Sequence, residues 1–297
     1  MAKIAVELTD ALARRRDAGT PGETAPRVIA RGDGWAVADV VCTCGPTDRP
    51  YEEQHLADTI AIVEAGSFEY RTSTGRELMS AGALLLGNHG QTFECAHRHG
   101  EGDRCVAFWY APDYFERLAA EAGVRAGNRR FTVARVPRLR QLSALAAQAS
   151  AALRAPDAVP WEELAVTLAS RTVTLAAGAS PSSETLPPNV EARLMRAIRA
   201  IEATSSADLT LGALARHAGL SPYHFLRSFK AVLGVTPHQY LLRVRLCAAA
   251  SQLVAGERKV LDVALDSGFG DVSNFNRAFR AEFAMSPLAW RRAFTRT

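Results

Sequence analysis

No uninterrupted run of about 18 apolar residues occurs anywhere in this 297-residue sequence, so no membrane-spanning helix is expected and no membrane partner with it. The first residues lack the apolar segment of a secretory signal. Met1 to Ala18 instead carries Glu7, Asp10 and an Arg14-Arg15-Arg16 run. A cytoplasmic location is the expectation, and the triple Arg reads as a solvated helix end. Cysteine is scarce: Cys42, Cys44, Cys95, Cys105 and Cys247 make five, all expected to be reduced in a cytoplasm. What remains is ordinary for a globular protein with a real core, at 48% apolar and 22% charged residues, and the length allows two or three domains.

Charge is unevenly spread. Residues 190–297 hold 15 Lys and Arg against 8 Asp and Glu, net +7, while residues 1–189 hold 20 against 23, net −3. A basic C-terminal third on an otherwise acidic chain is the footprint of phosphate binding. The same third contains a repeat. Phe225-x-Arg227-x-Phe229-Lys230-x-x-Leu233-Gly234-Val235-Thr236-Pro237-x-x-Tyr240 returns fifty residues on as Phe275-x-Arg277-x-Phe279-Arg280-x-x-Phe283-Ala284-Met285-Ser286-Pro287-x-x-Trp290. Ala-x-x-x-Gly precedes each copy, at Ala215–Gly219 and Ala264–Gly268. A repeat of this period signals duplicated supersecondary structure, and a turn followed by a short helix with projecting Arg is what a helix-turn-helix needs.

Within each copy the two Phe are four apart and share a helical face, so they turn to the core and the Arg between them points elsewhere. Seven helices are expected over 190–297. Val190, Leu194, Ile198 and Ile201 mark the first; Leu211–Ala218, Ser221–Leu233, Pro237–Val254, Leu261–Ser267, Val272–Phe283 and a short helix from Ser286 through Trp290 follow. Thr236-Pro237 and Ser286-Pro287 each put a capping hydroxyl before Pro at the first helical position.

These motifs together resemble the DNA-binding domain of AraC/XylS-type bacterial transcription regulators, over about residues 190–297. The resemblance implies that the exposed face of each second helix enters a major groove of double-stranded operator DNA. Carried over, that face is Tyr223, Leu226, Arg227 and Lys230 in the first unit, and Ser273, Asn274, Asn276, Arg277 and Arg280 in the second. Arg suits guanine and Asn suits adenine, while Lys230 and Arg280 are the expected phosphate contacts. The sequence departs from the family at Ala284, where Gly is usual, and a left-handed strain cost is expected there.

Upstream the texture is different. Residues 1–29 read as an N-terminal extension, frayed or partly helical. Over 30–111, short apolar runs such as Ala36–Val41, Thr59–Val63, Ala83–Leu86 and Val106–Tyr110 alternate with Gly, Pro, Asp and Asn, the pattern of a small antiparallel β-barrel or sandwich. Over 112–178 helical periodicity takes over, first from Pro112 towards Gly123, then along Leu139–Leu153 and Trp161–Leu175, with Pro160 at a first helical position and Gly178 just past the end. This region is expected to serve dimerisation or connection. A Pro-rich stretch over 179–189 is the expected linker. The fold class is therefore α+β: a barrel with following helices, then an all-α domain of about seven helices.

The barrel region is similar to the cupin-type sensor barrels that often precede such a DNA domain. In cupin metal-site spacing, Glu53 stands at the first His position, His55 at the second His, Thr59 at the Glu and Phe93 at the last His. At most two ligands survive, so the cupin metal is expected to be absent and Glu53, His55 and Phe93 are instead expected near an effector pocket. A second cluster, Cys95, His97, His99 and Cys105, offers two thiols and two imidazoles within eleven residues. It reads as a zinc site, a thiol switch or an ordinary polar loop. Cys42-x-Cys44 lies in an earlier strand, and Cys247 is expected in the core. The resulting expectation is a non-enzymatic, homodimeric transcription regulator with a small-molecule effector and RNA polymerase as further partners. The rival is a cupin-type metalloenzyme fused to a DNA-binding domain.

Overall fold

The computed structural model describes residues 2–153, 160–179, 187–204, 209–256 and 258–295. The expected linker falls largely outside them, from 180 to 186. The chain divides into two compact units, one built from Ala2–Leu142 with Ala152–Ser183, the other from Ser143–Ala151 with Glu184–Thr297.

The first unit begins with helix α1 (Ala2–Ala18) and has nine strands among its described residues: β1 (Thr24–Gly32), β2 (Trp35–Cys42), β3 (Glu52–Gln54), β4 (Asp58–Thr72), β5 (Gly75–Ser80), β6 (Leu84–Gly87), β7 (Thr92–Ala96), β8 (Asp103–Tyr110) and β9 (Arg135–Val136). Every pairing is antiparallel, in the order β1-β2-β8-β4-β6-β9. The long β4 joins two sheets, pairing with β6 and β8 along its first half and with β5 and β7 along its second. The change of partner falls at a register shift between Val63 and Ala65, next to Gly66 at φ 80°. A Cβ at Gly66 would stand 2.3 Å from the Gly102 carbonyl oxygen and 2.7 Å from Asp103 Cα, so only glycine lets β4 bend against β8 here.

The sequence runs that announced strands are those buried on both faces. Ile60, Ile62, Val106 and Phe108 are fully buried on one side, while Ala61, Val63, Cys105 and Ala107 fill the core on the other with Phe68, Tyr70 and Met79. On the outer side, helices α2 (Pro112–Glu121) and α4 (Trp161–Ala177) cover the sheet: Tyr110 donates its hydroxyl to the Ala165 carbonyl at 2.8 Å, and Phe108 meets Trp161. Pro160 caps α4 from outside rather than opening it, and Gly178 is the C-cap residue.

Strand β1 replaces part of the expected N-terminal extension. Thr-Ala-Pro-Arg-Val-Ile-Ala-Arg-Gly is an edge strand exposed on nearly every residue, so no apolar alternation marks it. It is held by β2 and by Arg27, which pairs with Asp39. Asp39 also takes a two-pronged ion pair from the fully buried Arg104, at 2.7 and 2.8 Å. Burial alone would raise the Asp39 carboxyl, but the hydrogen bonds and charges of Arg104 and Arg27 outweigh it and hold it below the usual carboxylate value.

The second unit has seven helices in 187–295: α5 (Pro188–Ala203), α6 (Leu211–Ala218), α7 (Pro222–Leu233), α8 (Pro237–Ala255), α9 (Val260–Asp266), α10 (Val272–Phe283) and α11 (Pro287–Thr295). The centre of α3 (Arg140–Ala152) belongs to this unit. Ala147 on it is buried in one core cluster with Leu246, Ala249, Leu253, Phe279 and Trp290. Ser143 on α3 donates to Glu282 on α10, which also pairs with Arg243 of α8 at 3.3 Å. Cys247 is half-buried at the edge of this core.

Candidate nucleic-acid interface and sensor cluster

The repeated unit folds twice in the same way. Helix α6 ends at Gly219 (φ 63°), whose backbone N–H closes on the preceding turn, and the matching turn after α9 holds Gly268 at φ 82°. Arg193 donates to the Gly219 carbonyl at 3.1 Å, tying α5 to the first turn, a contact no motif announced. The second helices start at capping side chains, Ser221 for α7 and Asp271 for α10, each accepting from the backbone three residues on. Thr236 and Gln239 form a reciprocal capping box at α8, and Ser286 accepts from Ala289 at α11.

Inside, Phe225 and Phe229 lie 5.4 Å apart, as do Phe275 and Phe279, and all four are fully buried. Phe229 meets Tyr240 edge-on at 78°, and Phe279 meets Trp290 edge-on at the same 78°. The aromatic anchors of each copy thus fix which way its second helix faces. Outside, Tyr223 is 69% and Leu226 37% exposed, and Arg227 and Lys230 lie beside them on α7. On α10, Ser273, Asn274, Arg277 and Arg280 are exposed and Asn276 is half-buried. All nine residues expected to face DNA lie on these two helices, and eight of them are exposed. Helix α8, 19 residues and about 28 Å long at 1.5 Å per residue, links the two units. Each presented face is cationic and polar on a rigid apolar base, the arrangement phosphate and base-edge contacts require.

In the β-unit, Glu53 and Phe93 are direct cross-strand partners on β3 and β7, and His55 stacks on Phe93 at 4.2 Å. The three expected effector residues therefore lie together. His55 Nε2 is 2.7 Å from the Tyr70 hydroxyl, which donates to the Leu86 carbonyl, and burial holds His55 down to about 4, hence neutral. With Phe93 offering no donor and His55 engaged by Tyr70, this set does not fit the cupin metal. A separate cavity of about 630 Å³ opens between α1 and strands β1 and β2, lined by Arg14, Arg15, Arg27, Glu23, Asp39 and Thr43 among others.

The Cys/His cluster is drawn differently from its sequence order. Of Cys95, His97, His99 and Cys105, only His97 joins a convergent donor group, and its companions are Cys42 and Asp103. His97 donates from Nε2 to Asp103 Oδ2 at 2.7 Å, and Cys105 donates to the other carboxylate oxygen at 3.3 Å. Burial would lower His97, but hydrogen bonds from its ring to Asp103 and Cys42 outweigh it and lift it to about 9. Cys95 pairs with Tyr70 across β7 and β4, and His99 lies half-buried beyond the strand. Burial raises the thiols of Cys42, Cys44, Cys95 and Cys105, the opposite direction from an activated thiolate. Cys42 and Asp103 are 61 residues apart, and only the β2–β8 register brings them face to face.

A helix-turn-helix domain model matches residues 214–293, which span both repeated units. The transcriptional activator AarP of Providencia stuartii is 32% identical over 91 residues, covering 31% of this chain and 67% of that protein. The regulatory protein SoxS of Salmonella typhimurium is 34% identical over 83 residues, 28% of this chain and 78% of its own length. The likeness to the transcriptional activator RhaS of Salmonella schwarzengrund is longer, 29% over 189 residues, 60% of this chain and 65% of RhaS. The chain spans only 32–35% of the length of three further curated relatives. With both helix-turn-helix units folded and relatives matched over most of their own length through them, this chain belongs to the AraC family of transcription regulators.

Proposed function

We propose that this regulator binds operator DNA sequence-specifically, with α7 and α10 reading successive major grooves. The observation that carries the proposal is the doubled exposed face set on buried Phe pairs. In B-DNA the major groove returns about every 34 Å, and α8 is of comparable length. Arg227 and Arg277 take base edges, with Asn274, Asn276, Ser273, Tyr223 and Leu226 completing the contacts. Lys230 and Arg280 hold phosphates. The β-unit senses a small effector, with Glu53, His55 and Phe93 beside it. The helical region 112–178 supports a homodimer, and RNA polymerase is the downstream partner.

The test is selection of genomic fragments by the purified full chain, with the Arg227→Ala/Arg277→Ala double variant in parallel. Enrichment of a few promoters by the wild type and none by the variant is the expected result. Each single change costs about 1–3 kcal/mol of specific binding if it removes a base contact. Equal loss on random DNA would make these residues phosphate contacts and refute the base-reading assignment.

A further inference from the structure

Three backbone segments converge at one end of the β-unit, and glycine makes the convergence possible. Cys42 ends β2 directly opposite Asp103 at the start of β8. Gly102, at φ 66°, sits so close to the Cys42 carbonyl that a Cβ would stand 2.8 Å from it, and Gly66 of β4 is pressed as closely against Asp103. His97, just past β7, fills the remaining side. The donor atoms of Cys42, His97 and Asp103 all lie within 4.8 Å of one another, and all three side chains are buried. Cys44, two residues on, is half-buried and stands outside this group. Gly22 packs over Cys44 from outside, so near that a Cβ would meet Cys44 Cα at 2.5 Å.

A thiol, an imidazole and a carboxylate around one buried point are donor types of a zinc site, and three protein ligands leave a fourth position for water. A His97–Asp103 pair alone would satisfy its own charges. It does not account for the Cys42 thiol converging on the same point. The dimensions agree. With Zn–S about 2.3 Å and Zn–N or Zn–O about 2.0–2.2 Å, tetrahedral neighbours stand roughly 3.3–3.8 Å apart. The donors of Cys42, His97 and Asp103 lie within 4.8 Å of one another, with His97 and Asp103 at 2.7 Å. Seating an ion therefore moves side-chain atoms by about 1 Å or less. Cys105, already donating to Asp103, then orients the ligating carboxylate from behind.

We propose that Cys42, His97 and Asp103 hold zinc or a similar borderline divalent cation, with water as the fourth tetrahedral ligand. The site is separate from the Glu53–His55–Phe93 cluster and independent of DNA reading, so either proposal stands if the other fails.

The experiment is cobalt(II) titration of the full chain, reduced and stripped of metal. One equivalent should give the near-ultraviolet thiolate charge-transfer band and the intense visible bands of tetrahedral cobalt, and one equivalent of zinc should remove them. Cys42→Ala should weaken cobalt binding at least about tenfold. Cys44→Ala, Cys95→Ala and Cys247→Ala should leave the thiolate band in place. Should a variant fail to fold, wild-type protein decides the question by alkylation: zinc should protect Cys42, read by mass spectrometry, and not Cys247. A weak octahedral spectrum, a band indifferent to Cys42→Ala or lost with Cys95→Ala, or no protection by zinc would each overturn the proposal.

Discussion

Helices α7 and α10 end in the same left-handed residue, and only one of the two carries a Cβ. Gly234 has φ 73° and ψ 0°, Ala284 φ 59° and ψ 9°. In each case the N–H returns to the helix, to Lys230 O at 2.8 Å and to Arg280 O at 2.9 Å. Ala284 is the one non-glycine residue at positive φ among the described residues. An L-residue in this region costs about 1–2 kcal/mol through the clash of its Cβ with the following carbonyl. Glycine gives back about 0.4–1 kcal/mol through its greater freedom in the unfolded chain. Because Ala284 is exposed, losing its methyl removes little packing. Ala284→Gly should therefore stabilise the second unit by about 0.5–1 kcal/mol, and Gly234→Ala should destabilise it by a similar amount. For a domain of this size that is roughly 2–6 °C in opposite directions. Calorimetry of the full chain reads the shift in the transition of the helical unit, and hydrogen exchange of α10 and α11 amides localises it. If Ala284→Gly lowers stability, or both changes have the same sign, strain at the cap is not what distinguishes the two copies.

Other perturbations test other links. Glu282→Ala removes the partner of Ser143 and of Arg243 together and should cost about 2–3 kcal/mol in urea unfolding, against about 1 kcal/mol for Ser143→Ala. His55 is held near 4 in the fold against an ordinary 6.5, so the unfolded chain takes up the proton first as pH falls. The His55 share of the β-unit's stability should be intact above about pH 6.5 and fall by about 3 kcal/mol between there and pH 4, a share that His55→Gln removes while the protein still unfolds cooperatively. Lys230→Ala or Arg280→Ala should lower affinity alike on specific and random DNA and reduce the salt dependence by about 0.9 in log–log slope each, measured by titration at several salt concentrations.

The repeat alone determined most of the second unit. Helices α6 and α10 begin and end where apolar spacing and turn residues put them, the capping hydroxyls of Thr236 and Ser286 act as their position before Pro implies, and the strain at Ala284 was legible from its place in the second copy. Those features are local: helix periodicity, caps and αL turns each depend on residues within about five positions of one another. The doubly buried strands were legible for the same reason, as short apolar runs. What only the tertiary structure decided is long-range. Strand β1, exposed on both faces, has no periodic signal and exists because β2 offers it an edge. The centre of α3 joins the helical unit through Ala147 in its core and Ser143 on Glu282, contacts that composition does not announce. The cysteines and histidines nearest one another in sequence are not the ones that meet. Strand register sets Cys42 against Asp103 and delivers His97 between them, and a register formed across 61 residues leaves no local trace in the chain.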